Sequence, residues 1–389
     1  MATLDAQIEL LLASHAHVAH DLSRGALIKQ AIERHECIET TSGALAVWNP
    51  AHQTGRIPKD TYTVKHYEQT LPIDWNAANN IAMTPEIFDG LLGDALQVLG
   101  TKDKLFVLDR SVCADPAFAL PVRTIAPTAL AALFADNMFR PEPNFSESIF
   151  EDDGFTIVVL PKDAVDVKKY EHVLRKENGK IVTMLIAMDI ERRIGLVYGT
   201  QYCGAIKKLV FTVLNGLLPT KGVLPLHCSA SEDGDGHAHL FLGLSGTGKT
   251  TLSVDPKRQL IGDDEHVWTD NGVANLEWGS YAKLIALRKD KEPMIHDAVF
   301  SKRPTAEHGC IVENAMVYPD GTIDVDDGRL TENSRVSFPL SFIGNVVSDA
   351  KGHHPQTVIF LTADASGVLP PVAKLSLEQA MFWFLMGYT

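Results

Sequence analysis

The stretch Gly243-Leu244-Ser245-Gly246-Thr247-Gly248-Lys249-Thr250 decides how this chain is read. It satisfies the pattern G-x-x-x-x-G-K-[ST] in full, and its flanks suit it. The apolar run Leu240-Phe241-Leu242 leads in as a strand, and Thr251-Leu252-Ser253 follows as the start of a helix. Glycines let the main chain curl around phosphates and aim N–H groups at them. The helix N-terminus adds positive potential. In such a loop Lys249 reaches the β- and γ-phosphates and Thr250 offers a hydroxyl to magnesium. The competing reading is a Gly-rich strand-to-helix turn that binds nothing; the complete pattern in the right context argues against it.

Downstream, Gln259-Leu260-Ile261-Gly262 reads as a short strand ending in Asp263-Asp264-Glu265-His266. An acidic tetrapeptide alone is an ordinary solvated turn. Just after a phosphate loop, carboxylates at a strand end suit a divalent metal held against triphosphate oxygens. Upstream, a strand at 222–226 runs into His227-Cys228-Ser229, which makes His227 a candidate ligand beside Asp264.

With 389 residues, 45% hydrophobic and 22% charged, the chain is long enough for two or three globular domains. A net charge of −14 argues against a general nucleic-acid binder. No apolar run is long enough for a membrane span and no signal peptide is evident. Cys37, Cys113, Cys203, Cys228 and Cys310 are widely spaced and never form C-x-x-C, which fits a reducing cytoplasm. Helix is predicted over the first 35 residues, with a break at Ser23-Arg24-Gly25, and at 85–99, 127–137 and 211–218. Strands are predicted at 104–108, 155–160, 181–186 and 194–198, and a hairpin at Tyr318-Pro319-Asp320-Gly321. The three histidines His15, His17 and His20 fit an exposed helix better than a metal site. The run from Asp324 to Gly328 lacks the twelfth-position Glu of a calcium loop, because Arg335 stands there.

Three polar islands remain: 55–60 with Arg56, 200–208 with Tyr202, Lys207 and Lys208, and 332–335 with Arg335. Singly they are surface cations. Together with the phosphate loop they are what a pocket for a dianionic organic acid beside ATP requires, since arginine grips carboxylates bidentately. A lysine can ligate a metal only as a neutral amine, which requires a depressed pKa.

These residues resemble the ATP-dependent phosphoenolpyruvate carboxykinases. The resemblance rests on Thr54-Gly55-Arg56…Pro58-Lys59-Asp60, Tyr202…Lys207-Lys208, Leu226-His227-Cys228-Ser229-Ala230, the block from Gly243 to Asp264, Thr331-Glu332-Asn333-Ser334-Arg335 and Phe360-Leu361-Thr362-Ala363-Asp364. It implies an α/β fold of two lobes: an N-terminal substrate lobe over 1–220 and a phosphate-loop lobe over 221–389. It also implies conversion of oxaloacetate and ATP to phosphoenolpyruvate, CO2 and ADP, with Mn2+ and Mg2+. Arg56, Tyr202, Lys208 and Arg335 would bind substrate. Lys207, Lys208, Lys249, Asp263 and Arg335 would serve catalysis. Lys208, His227 and Asp264 would hold manganese and Thr250 the second metal, with nucleotide at 243–251, His227 and Glu292. A cytoplasmic monomer is expected, with no membrane or nucleic-acid partner.

Three departures accompany the resemblance. Ala205 stands where the family carries an acid after the site tyrosine, and Cys113 stands where glycine is expected. Relatives also continue beyond Thr389, so the second lobe is expected to be incomplete. The alternatives are a catalytically impaired nucleotide- or metal-binding module, and a phosphate-loop kinase that would not need Arg56, Tyr202 and Arg335 together.

Overall fold

A computed structural model describes residues 3–141, 145–151, 153–244 and 247–386. The first half is built on a mixed eight-stranded sheet. Its order is Val18–His20, Leu105–Val112, Leu120–Ala126, Phe155–Leu160, Ile194–Tyr198, Leu185–Asp189, Thr61–Val64, Ile81–Met83. Successive strand side chains face opposite ways, and both faces are used. Phe106, Leu108, Ile157 and Val159 enter one core, whereas Leu105, Val107, Val158 and Leu160 enter another. Helices Arg24–Glu33, Ala129–Met138 and Gly204–Leu217 close the first core; Leu4–Ser14 and Pro85–Gly100 close the second. Burial on both faces is why these strands read as continuous apolar runs.

Three predicted elements need correction. Residues 1–35 are not one helical region, because Val18–His20 pairs in parallel with Leu105–Val112. Ser23 does mark the break, its hydroxyl capping the Arg24–Glu33 helix at Ala26 N–H. The run at 181–186 splits: Lys180–Ile181 pairs with Lys176–Glu177, and Leu185 opens a separate core strand. The helix predicted from Phe211 begins at Gly204, which puts Lys207 and Lys208 near its start.

The second half turns on the strand Leu224–Glu232. Its first part pairs with Glu265–Thr269, His227 lying opposite Glu265. Its last part pairs with Gln259–Gly262, Ala230 lying opposite Gly262. The two partners are consecutive in the chain, so the step between them falls at Asp263-Asp264, beside His227. Ser229 donates its hydroxyl to the Asp263 carbonyl at 2.6 Å and fixes that step. On its other side the strand pairs with Ala238–Gly243, which leads into the phosphate loop, and Pro355–Leu361 lies parallel beyond it. A further sheet, ordered Gly279–Lys283, Arg335–Pro339, Ile311–Glu313, Leu45–Val47, Ile38–Glu39, draws strands from both halves of the chain. The predicted hairpin forms between Met316–Val317 and Ile323–Asp324. Among the described residues no helix is long and apolar enough to cross a membrane.

Candidate active site

Gly243 ends its strand where a Cβ would lie 2.7 Å from the Leu361 carbonyl oxygen, so glycine is required there by contact alone. Gly248 takes φ +99°, a conformation that favours glycine. Ser245 and Gly246, both in the predicted nucleotide loop, lie outside the described residues. Leu244 is exposed at the turn. The Thr247 hydroxyl donates to the Leu244 carbonyl at 2.7 Å. Lys249 opens the helix Lys249–Ser253, and its ammonium folds back to the Gly243 carbonyl and, at 3.3 Å, to that of Leu244. Burial holds Lys249 below the usual lysine range. Thr250 follows it in the first turn. Thr251 donates to Glu292 at 3.0 Å, which places that carboxylate beside the loop.

One carboxylate gathers the rest. Asp264 Oδ2 accepts from Lys207 and Lys208, each at 2.8 Å, and its Oδ1 lies 2.7 Å from His227 Nε2. Helix Gly204–Leu217, strand Leu224–Glu232 and the step at 263–264 thus converge on one point. Burial would push the Asp264 carboxyl up, but Lys207, Lys208 and His227 hold it well below the usual carboxylate range. Lys208 also reaches Glu265 at 2.5 Å, and Lys207 reaches Glu277 at 2.5 Å in a pair that is almost wholly buried. Both ammonium groups lie over the Phe211 ring, 5.6 and 5.7 Å from its centroid.

The expected depression of Lys208 does not occur. Burial alone would lower both lysines, but Asp264 and Glu277 outweigh it, with Asp263 acting on Lys207 and Glu265 on Lys208, and both amines stand above the ordinary lysine range. Lys208 is therefore an ion-pair partner of Asp264 in this structure.

The donor set nevertheless fits a divalent cation. Ligand atoms of His227, Asp264 and Glu265 lie within 4.8 Å of one another. Asp263 is buried with Oδ2 accepting from Ser280 at 2.5 Å, while its Oδ1 has no hydrogen-bond partner. Burial raises its carboxyl, against the pull of Lys207. The two carboxylates and the imidazole of His227, Asp264 and Glu265 are a set of oxygen and nitrogen donors of the kind manganese and magnesium take.

The three polar islands also meet. Asn333 Nδ2 donates to the Thr54 carbonyl at 2.7 Å, and the Thr54 and Thr331 hydroxyls lie 3.2 Å apart. Gln53 Nε2 donates to the Gly199 carbonyl, and Gln201 N–H donates back to Gln53. Arg335 donates to Asn333 Oδ1 through Nε and Nη2, and its guanidinium sits 5.9 Å from the Tyr281 ring centroid. Tyr281 in turn packs 5.8 Å from Tyr202. Burial raises the Tyr202 phenol, and the Arg335 and Arg56 cations oppose it. Arg56 is exposed at the edge of this group.

Sequence reasoning missed Glu277, Ser280, Tyr281 and Glu313, none of which carries a local motif. Glu265 was visible in the acidic tetrapeptide but was given no role. Strand register, with Glu265 opposite His227, is the signal that marks it.

A family model described as phosphoenolpyruvate carboxykinase matches residues 16–389. A phosphoenolpyruvate carboxykinase (ATP) of Geobacillus kaustophilus is 43% identical over all of this chain and 70% of its own length. One from Geobacillus thermodenitrificans is 42% identical over 97% of this chain and 69% of its own length. One from Rhizobium rhizogenes is 45% identical over 97% of this chain and 67% of its own length. With a family model matching nearly the whole chain and relatives this similar along most of their length, the chain belongs to the ATP-dependent phosphoenolpyruvate carboxykinase family.

Proposed function

We propose that this chain converts oxaloacetate and ATP to phosphoenolpyruvate, CO2 and ADP, and that the convergence of Lys207, Lys208, His227 and Asp264 beside the phosphate loop is where it does so. Arg335 and Arg56, with Tyr202 between them, hold the two substrate carboxylates. The C–CO2 bond breaks and its electron pair passes into an enolate, whose negative oxygen the Lys207 and Lys208 ammonium groups stabilise. That oxygen attacks the γ-phosphorus in line, and the bond to ADP breaks. Lys249 swings from the Gly243 carbonyl to the phosphate oxygens and follows the developing charge. His227, Asp264 and Glu265 would hold a divalent cation, with Thr250 and Asp263 serving a second, and the family's Mn2+ and Mg2+ supply Lewis-acid polarisation and charge neutralisation when bound. Glu292 orients the nucleotide end of the loop through Thr251.

On this proposal the chain divides into a substrate lobe over 1–220 and a phosphate-loop lobe over 221–389. Strands Ile38–Glu39 and Leu45–Val47 reach from the first into a sheet of the second. Five free, buried cysteines support a reducing cytoplasmic setting, and a monomer is the working state. Purified chain given oxaloacetate, ATP, Mg2+ and Mn2+ is expected to release phosphoenolpyruvate, and Lys249→Ala to cut that rate by about 100-fold or more. No product from the folded, unaltered chain, or undiminished turnover in Lys249→Ala, would sink this reading.

A further inference from the structure

Glu313, at the end of the strand Ile311–Glu313, is fully buried and lies outside the set just assigned. Its Oε1 accepts from the Cys203 main-chain N–H at 3.0 Å and from Asn49 Nδ2 at 3.2 Å. Its Oε2 accepts from the Tyr281 hydroxyl. Among the described residues no cation lies within ion-pair distance of it. A buried carboxylate facing only neutral donors is costly and is a poor device for stability.

Three parts of the substrate side meet on this one group. Cys203 is the cap residue of helix Gly204–Leu217, whose own first turn carries no acid, so Glu313 furnishes the acceptor for an N–H at that helix start. Tyr281 packs against Tyr202 and lies beneath the Arg335 guanidinium. Arg335 is also the residue directly opposite Glu313 across the antiparallel ladder. Tyr202 and Cys203 also border a cavity of about 320 Å³ lined in part by Asn49, Val159, Val197 and Ile206.

We propose that Glu313 is a positioning residue for oxaloacetate, tying Cys203, Asn49 and Tyr281 into one frame that sets Tyr202 and Arg335 against the substrate. It never touches the substrate itself. The proposal rests on the carboxykinase reading, and glutamine is the informative replacement. Glutamine keeps the shape but turns one oxygen into an N–H2 group, so either the Tyr281 hydroxyl must accept where it donated or Cys203 N–H and Asn49 lose their shared acceptor.

Steady-state kinetics of Glu313→Gln, Tyr281→Phe and the double variant test it, alongside calorimetric binding of oxalate in the presence of Mn2+. For Glu313→Gln, KM for oxaloacetate and Kd for oxalate are expected to rise about tenfold while KM for ATP stays within about twofold. Thermal stability should not fall, and the double variant should be no worse than Glu313→Gln alone. An unchanged KM for oxaloacetate in folded Glu313→Gln overturns the proposal, as do equal losses for both substrates with a lowered Tm. If the unaltered chain binds oxalate without turning over, and Glu313→Gln weakens that binding, the positioning role stands and the carboxykinase reading fails.

Discussion

At Cys113 the main chain takes φ +98° with the side chain buried. The Cys113 N–H donates to the Leu276 carbonyl at 3.0 Å, and the Ala114 N–H to that of Asn275 at 2.8 Å. The turn thus ties the end of strand Leu105–Val112 to the segment that carries Glu277. A side chain in the left-handed region costs about 1–2 kcal/mol, a penalty glycine escapes. Elsewhere alanine is the more stabilising of the two residues, because glycine gives the unfolded chain more freedom. At this position the order should reverse. Cys113→Gly is expected to exceed Cys113→Ala by about 1 kcal/mol in urea denaturation. Equal stability, or alanine ahead, would show that the turn stores no such strain. The expected glycine at 113 came from the resemblance alone, since the positive φ that makes it matter is set by the contact with 275–276.

Helix Gly204–Leu217 carries the two lysines to the site, and its burial pattern explains how. Ile206, Leu209, Val210, Val213 and Leu214 sink into the core, and Lys207 sinks with them because Asp264 and Glu277 meet its ammonium. Removing one member of such a set strands the remainder as uncompensated buried charge. Lys207→Met should cost about 3–5 kcal/mol. Adding Glu277→Gln should return part of that loss, since the stranded acid is then gone. Strictly additive costs in thermal denaturation would mean the two side chains are not energetically coupled. The helix also marks a limit of sequence reading. Its apolar spacing was evident from Phe211 onward, but the first turns, with Cys203-Gly204-Ala205 and two adjacent lysines, looked like a polar island. What makes them helical is tertiary: Glu313 takes the Cys203 N–H, and three acids neutralise the lysines.

Across the whole molecule, the site lies where the two halves of the chain meet, with Lys207 and Lys208 from one and His227, Asp263 and Asp264 from the other. Strand Leu224–Glu232 makes this work by changing partners midway, which leaves Asp263-Asp264 at the step. Much of this was legible. The phosphate loop, the acidic strand end and His227 carry their chemistry in local spacing, and Phe155–Leu160, Ile194–Tyr198 and Gln259–Gly262 formed with the predicted bounds. The supporting groups Glu277, Ser280, Tyr281 and Glu313 were not legible, because each acquires its role through a partner distant in sequence. Among the described residues, those from Pro355 onward are largely exposed, with Phe382 at 63% and Leu385 at 78%.

Asp264 is expected to gather a divalent-cation site beside the phosphate loop. The measurement to make is Mn2+ titration of the nucleotide-free chain followed by electron paramagnetic resonance. A single tight site should appear, and Asp264→Asn should weaken it at least about tenfold while the fold is kept. Mn2+ bound as tightly by folded Asp264→Asn as by the unaltered chain would mean that Asp264 holds no cation there.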